Sequence, residues 1–382
     1  MKKILFHLFR RALCEDVPWE EPALDREAWI EVFKLSKQHD LAHLAGYALK
    51  DTNLPSDEDL KNAFEGAVNT AAFRYVKLNY DLETIKAALE KAKITFIPLK
   101  GSVIRKYYNE PWLRTSCDID ILISSADIEK ATKVFVEELG HEYLSAWNYE
   151  VSFRTPSGTH IELHHTLSDD NKEIDRVLST VWEHSAPAPE YSFYHEMSDE
   201  MYYFYHVAHM VKHFVNGGCG IRSFIDIWVL NHRCSFDRQK RYDLLEKAGL
   251  LLFAQSAEQL ADAWIGGKPH TAISEELEQF ILNGGLYGTV ENRVVVQQAI
   301  TGSKFSYLMS RIFLPYDQLK LTFPGLTKRK WLFPFYQVKR WFRLFRKGKL
   351  KSSVHEVKNT SAVTGEENDR TTALLQSLGI KA

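Results

Sequence analysis

Asp118 and Asp120 stand one residue apart in CDIDILI, alternating with Ile119, Ile121 and Ile123. Successive side chains of a strand point to opposite faces, so this run is expected to be a β-strand with one apolar and one acidic face. HIELH repeats the arrangement, with Ile161 and Leu163 set between His160, Glu162 and His164. Two carboxylates roughly 7 Å apart on one face repel each other unless a cation neutralises them, which makes the pair a natural bed for a divalent metal. If HIELH lies beside the first strand, Glu162 adds a third acid to the same surface. The plainer alternative is that an aspartate at a strand end caps a turn or faces water. His160 and His164 read as ordinary polar residues of a half-exposed strand, because Mg²⁺ favours oxygen over imidazole.

The surrounding pattern predicts a small sheet between helical segments. ITFIPL (94–99) is a short β-rich run, ended by Lys100-Gly101-Ser102 and followed by the helical stretch VIRKYY. A strand, a glycine turn and a helix N-terminus together attract phosphate. IDILI (119–123) is the acidic strand. DIEKATKVFVEELG (127–140) is an amphipathic helix with Asp127 as N-cap and Gly140 as its stop. YEVSFRT and THIELHHTL, joined at Pro156-Ser157-Gly158, predict a hairpin. Helical spacing holds from Trp29 to about Lys91, broken by the turn DTNLPSD with Ser56 as N-cap, and returns from Ser198 to about Trp264. The expected class is therefore α+β. A catalytic α/β unit at 94–185 lies between an N-terminal helical unit at 1–93 and a C-terminal one at 186–347.

With 382 residues, 45% hydrophobic and 13% aromatic, the chain has enough apolar material for large cores. Its net charge of −2 conceals an asymmetry, since residues 328–351 hold ten Lys or Arg and no acid, leaving −12 for the remainder. An acidic body argues against wrapping duplex DNA. In PFYQVKRWFRLFRKGK, Phe335, Val338, Phe342 and Phe345 form one helical stripe. That stripe is expected to pack on the body, with anionic membrane or RNA as other occupants. Residues 348–382 read as a disordered tail, with at most a transient turn of helix at ALLQSL, since 352–382 contain no aromatic residue and many Ser, Thr, Glu, Asn and Gly. Four scattered cysteines without a C-x-x-C pair fit a reducing cytoplasm. MKKILFHLFRRALC has no cleavage site after its broken apolar stretch, and no run approaches the roughly 20 apolar residues of a membrane span, so the expectation is a cytoplasmic protein.

Three cations stand near the acids. Arg114, four residues before Asp118, is the favoured bidentate clamp for phosphate, with a salt bridge to the acid cluster as its alternative. Arg105 could face a triphosphate or solvent, and Lys100 could reach a nucleotide phosphate, with no more specific role assigned. His206, His209 and His213 share one helical face; without nearby cysteines they are read as lining a cleft rather than ligating zinc. Asp226 could pair with Arg222 at i, i+4.

Hydrophobic-Gly-Ser, then Asp-Ile-Asp, then Ile-Glu-Leu is similar to the signature of the DNA polymerase β-type nucleotidyltransferase superfamily. LKGSVIRKYY, LRTSCDIDILI, HIELHH, HMVKHF and GIRSFIDIWVL more closely resemble the bacterial family of uncharacterised nucleotidyltransferases, over roughly 70–345. The resemblance implies a polymerase β-type palm and metal-dependent transfer of a nucleoside monophosphate from an NTP such as ATP to an unknown small-molecule or protein hydroxyl. By motif position, Asp118, Asp120 and Glu162 would hold two Mg²⁺, or Mn²⁺, and Gly101 with Ser102 would hold the β- and γ-phosphates. His164, His209, His213 and Arg222 would wall the cleft. The alternatives are a non-catalytic nucleotide-binding module docked on membrane through 328–351, and kinase or phosphohydrolase chemistry.

Overall fold

The structure is a computed structural model that describes residues 1–15, 17–18, 22–147, 149–168, 171–284, 289–316, 319, 323–326, 329–346 and 364–380. Four helices come first: α1 (Lys2–Leu13), α2 (Arg26–Gln38), α3 (Ala42–Ala48) and α4 (Glu58–Lys91). The α4 helix is one uninterrupted rod of 34 residues, about 51 Å long at 1.5 Å per residue. Its N-cap is Asp57, whose carboxylate accepts from the Leu60 amide at 3.0 Å, one residue beyond the expected Ser56.

The sheet has five strands: β1 (Phe96–Pro98), β2 (Asp118–Ile123), β3 (Glu142–Ala146), β4 (Glu150–Arg154) and β5 (His160–His164). They lie in the order β1-β2-β5-β4-β3, with β2 and β5 parallel and every other pair antiparallel. The expected hairpin is β4–β5, with Phe153 opposite Ile161. The edge strand β3 was not expected, since EYLSA is largely exposed and carries no clean alternation. Between β1 and β2 comes α5 (Gly101–Ile104), and after β2 comes α6 (Ile128–Lys133), prolonged by a π-turn over Val134–Glu138. Asp127 makes no capping bond there. Ser124 caps the turn ahead instead, and Gly140, at φ +65°, ends the element as predicted.

One face of the sheet is a hydrophobic floor. Ile119, Ile121, Ile123, Phe153, Ile161 and Leu163 are fully buried against Phe135 and the second half of α4, where Leu78, Leu82, Ile85 and Leu89 face them. Each such burial contributes about 1.5–3 kcal/mol. A one-residue slip of β2 or β5 would put carboxylates into that floor, so the register is strongly specified. The hairpin is also tied to α4 through Asp81. Its buried carboxylate accepts the hydroxyls of Thr155 at 3.3 Å, Ser157 at 2.6 Å and Thr159.

The remaining chain is mostly helical: α7 (Lys172–Leu178), a two-stranded ribbon of β6 (Ser185–Pro187) and β7 (His195–Met197), then α8 (Asp199–Val215), α9 (Ile221–Arg233), α10 (Arg238–Lys247), α11 (Leu251–Trp264), α12 (Ala272–Gly284), α13 (Val290–Thr301) and α14 (Lys304–Ile312). Helices α7 to α13 share a second, larger core with α1, α2, α3 and the start of α4, where Leu60 and Phe64 are buried, while Tyr307 of α14 packs on Val294 and Val295 of α13. A basic helix, Phe333–Arg346, and a last helix, Gly365–Ser377, complete the fold.

Two expectations are corrected here. The last helix lies within the stretch read as a disordered tail, while 347–363 fall outside the described residues. Leu374, Leu375 and Leu378 are buried in the large core, and Thr364 caps the helix at the Glu367 amide. Three leucines on one helical face supply the anchor that the composition, lacking aromatics, did not advertise. The second correction concerns the basic helix, whose residues Phe335, Val338 and Phe342 point outward instead of packing on the body. Among the described residues, no helix is long and apolar enough to cross a membrane.

Candidate functional site

The face of the sheet opposite the hydrophobic floor carries the charged residues. The parallel pairing of β2 and β5 sets Asp120 opposite Glu162 and Asp118 opposite His160, so the three acids share one surface. Asp120 is 1% exposed, Asp118 and Glu162 half-buried. A carboxylate so deeply buried costs several kcal/mol unless it is paired. Two cations supply that pairing. The Lys100 ammonium donates to Asp120 Oδ1 at 2.7 Å and lies 3.8 Å from Glu162. His164 Nε2 donates to the same oxygen at 3.0 Å and lies 3.5 Å from Glu162, while its Nδ1 is 3.6 Å from Glu150.

Ionisation follows from this geometry. Burial works against the Asp120 charge, but Lys100 and His164 outweigh it and hold the carboxyl well below its usual range. Burial likewise opposes a charged His164, yet its bonds to Asp120 and Glu162 raise it to about 9. Lys100 is raised too, the charges of Asp120 and Glu162 overcoming its burial. Asp118 moves the other way, pushed up by burial and by the Asp120 charge. The cluster thus has room for further positive charge beside Asp118. Asp120, Glu162 and His164 each bring a ligand atom within 4.8 Å of the others. Asp118 is not one of that trio, which offers a hard divalent cation two carboxylates beside one imidazole, with Asp118 on the same face of the sheet.

The glycine turn abuts the acids. The Leu99 amide donates to the Asp120 carbonyl at 2.9 Å, and Lys100 takes a left-handed φ of +48°, which is costly for a residue with a side chain. The Tyr202 hydroxyl holds that conformation by donating to the Lys100 carbonyl at 2.7 Å. A Cβ on Gly101 would come within 2.8 Å of Ser116 Cβ, so glycine here admits the loop that leads into β2. The Ser102 amide already donates to the Leu99 carbonyl at 3.2 Å, whereas its hydroxyl oxygen is buried with no hydrogen-bond partner. At Ser102 the polar atom left for a phosphate is therefore the hydroxyl rather than the amide.

The three arginines go elsewhere than expected. Arg114 closes a fork on Asp226, with Nε at 2.8 and 3.0 Å and a terminal nitrogen at 2.8 Å from its oxygens. Tyr108 donates to the same carboxylate at 2.6 Å. Asp226 is fully buried and Arg114 nearly so, and the pair is a structural tie between the β2 approach and α9, leaving no fork for phosphate. Arg222 consequently does not pair with Asp226. It reaches Asp40 at 3.2 Å and the Thr115 carbonyl at 3.3 Å. Arg105, expected at triphosphate or solvent, is buried and donates to the Gly101 carbonyl and Ser116 hydroxyl, both at 2.7 Å. It braces the turn against the loop.

Opposite the charged face, α8 closes a cavity of about 200 Å³ whose walls include Lys100, Glu162, His164, Tyr205, His209 and Lys212. His209 and His213 are 3.0 Å apart between their Nε2 atoms, one donating to the other. Burial, then the nearby Lys100 charge, lowers the pKa of both, which fits neutral imidazoles. His206 turns away to the Ser223 carbonyl at 3.1 Å, so the three histidines of the helix do not converge.

Sequence reasoning placed Lys100 and His164 near the acids but not as the partners of Asp120, and it missed Tyr202 at the turn. His164 stands two residues after Glu162 on the same strand face. Tyr202 gave no signal, because its position depends on tertiary packing.

A family model described as uncharacterised nucleotidyltransferase matches residues 25–266, which span the sheet, the acids and helices α2 to α11. No curated protein and no solved structure matches the chain.

Proposed function

Because the chain belongs to the uncharacterised nucleotidyltransferase family, we propose that it transfers a nucleoside monophosphate from an NTP to an acceptor hydroxyl of a small molecule or protein, releasing pyrophosphate. The observation that carries this reading is the register of β2 against β5, which puts Asp118, Asp120 and Glu162 on one face beside the Gly101 turn. These three acids would hold Mg²⁺, or Mn²⁺. The raised pKa of Asp118 and the close approach of Asp120 to Glu162 support that fit. Bound there, divalent cations would neutralise the negative charge that develops on the phosphoryl oxygens.

The chain's own groups account for the rest. Lys100 and His164 keep Asp120 ionised and fixed in the absence of substrate. Ser102, with its unpartnered hydroxyl, binds a phosphate oxygen at the turn. Lys100, in the wall of the cavity, neutralises the triphosphate as its ammonium leaves the acids. Glu162 lies nearest the cavity and accepts the proton of the acceptor hydroxyl.

Pyrophosphate release with each of the four NTPs and Mg²⁺ or Mn²⁺, across a broad panel of acceptors, tests the proposal. Asp118→Asn and Asp120→Asn should each lower the rate about 100-fold or more. Variants as fast as the parent protein would refute it. Release of orthophosphate or a nucleoside diphosphate instead would assign different phosphoryl chemistry.

A further inference from the structure

The basic helix Phe333–Arg346 and α14 share an outward surface that the reaction does not use. Side chains advance by about 100° per residue around a helix, so Phe335, Val338 and Phe342 form one stripe. They are 60%, 41% and 66% exposed, and Trp331, just before the helix, is 76% exposed. The opposite side faces the stretch that follows α14, where Gln337 is buried and donates to the Leu314 carbonyl at 2.5 Å. The stripe is therefore not the side by which the helix is held.

Neighbouring residues enlarge the surface. Phe305 and Phe313, in and just after α14, are also exposed. Trp341 joins the two helices, its indole donating to the Ile312 carbonyl at 2.9 Å and its ring meeting Phe313 edge-on at 5.5 Å. Arg340 adds bonds to the carbonyls of Arg311 and Ile312 at 3.0 and 3.1 Å. Lys339 and Arg343, both exposed, flank the stripe. Over residues 303–351 there are thirteen Lys or Arg and a single acid, Asp317, a charge of +12 against −14 for the rest of the chain.

Singly exposed apolar residues are ordinary on a soluble surface, but an aromatic stripe bordered by cations is the pattern of a helix lying in a membrane interface. We infer that this surface docks the protein peripherally on anionic lipid, with Phe335, Phe342 and Trp331 entering the acyl boundary and Lys339 and Arg343 on the headgroup phosphates. The charge asymmetry orients the approach, because the acidic remainder is repelled by the membrane that attracts this face. RNA is the weaker match, since three apolar side chains aligned along a helix suit a continuous apolar medium better than separate stacked bases.

Flotation of the full-length protein with vesicles tests the inference. The protein should rise with phosphatidylcholine–phosphatidylglycerol vesicles but not with phosphatidylcholine alone, and high salt should weaken its binding. Trp331 emission should shift to the blue on binding. Phe335→Ser combined with Phe342→Ser should lower partitioning about tenfold or more, with an unchanged circular dichroism spectrum because both side chains are already solvated. Lys339→Glu combined with Arg343→Glu should abolish the preference for anionic vesicles. Failure to float with anionic vesicles at low salt, or undiminished flotation of the serine variant, overturns the inference. So does tighter binding to single-stranded RNA than to vesicles.

Discussion

At the scale of single residues, His164 decides the electrostatics of the acid cluster. Its folded-state pKa of about 9 lies above the ordinary 6.5, so it binds its proton more tightly in the folded than in the unfolded chain. The resulting stabilisation is fully present below pH 6.5 and is lost as pH rises through 9. Stability of the metal-free protein should accordingly fall by up to about 3 kcal/mol across that window. His164→Asn should flatten this alkaline limb. Urea titrations at a series of pH values in the presence of a chelator check it, and an imidazole titrating near 6.5 by NMR would contradict it. The three acids were legible because alternation with isoleucine and leucine fixes which face they take. What neutralises them was not. A lysine beside a glycine and a histidine on a strand look ordinary until the register brings both to one oxygen of Asp120. Arg114 misled for a related reason, since a fork that suits phosphate suits the buried carboxylate of Asp226 equally well.

At the scale of elements, the β4–β5 hairpin depends on more than its turn residues. Asp81, on α4, collects hydroxyls from Thr155, Ser157 and Thr159. It thereby fixes the end of the strand that presents Glu162. Asp81→Ala should cost about 1–3 kcal/mol by leaving buried hydroxyls unpaired, and amide exchange should quicken first in 155–160. Uniform protection across the hairpin in the variant would count against this role. The hairpin was foreseen from Pro156-Ser157-Gly158, and the strands from their alternation. The clamp was not, since a lone aspartate in a helix gives no sign of a partner 74 residues away. Short elements were harder still. The edge strand β3 has no period to read, and the last helix is anchored by leucines in a segment whose average composition resembles a linker.

For the molecule as a whole, the α+β class and the placing of the sheet among helices were readable from the change of period at Ile94 and its return at Ser198. The sharing of helices between cores was not, because periodicity reports which face is apolar and never what covers it. Removal of 364–382 should expose the seat of Leu374, Leu375 and Leu378 on the large core. The shortened chain should melt at lower temperature and tend to aggregate, as light scattering during a thermal ramp would register. An unchanged melting temperature would mean that the last helix contributes no net stability. The long rod α4 carries a different lesson. Phe64 anchors it in the larger core, and Ile85 with Leu89 anchors it in the floor beneath the acids. Neither half of the protein can melt without stripping that shared beam of half its cover. Heating should therefore yield one endotherm whose calorimetric and van 't Hoff enthalpies agree. The catalytic surface then inherits the cooperativity of the entire chain rather than the modest stability that a five-stranded sheet would have alone.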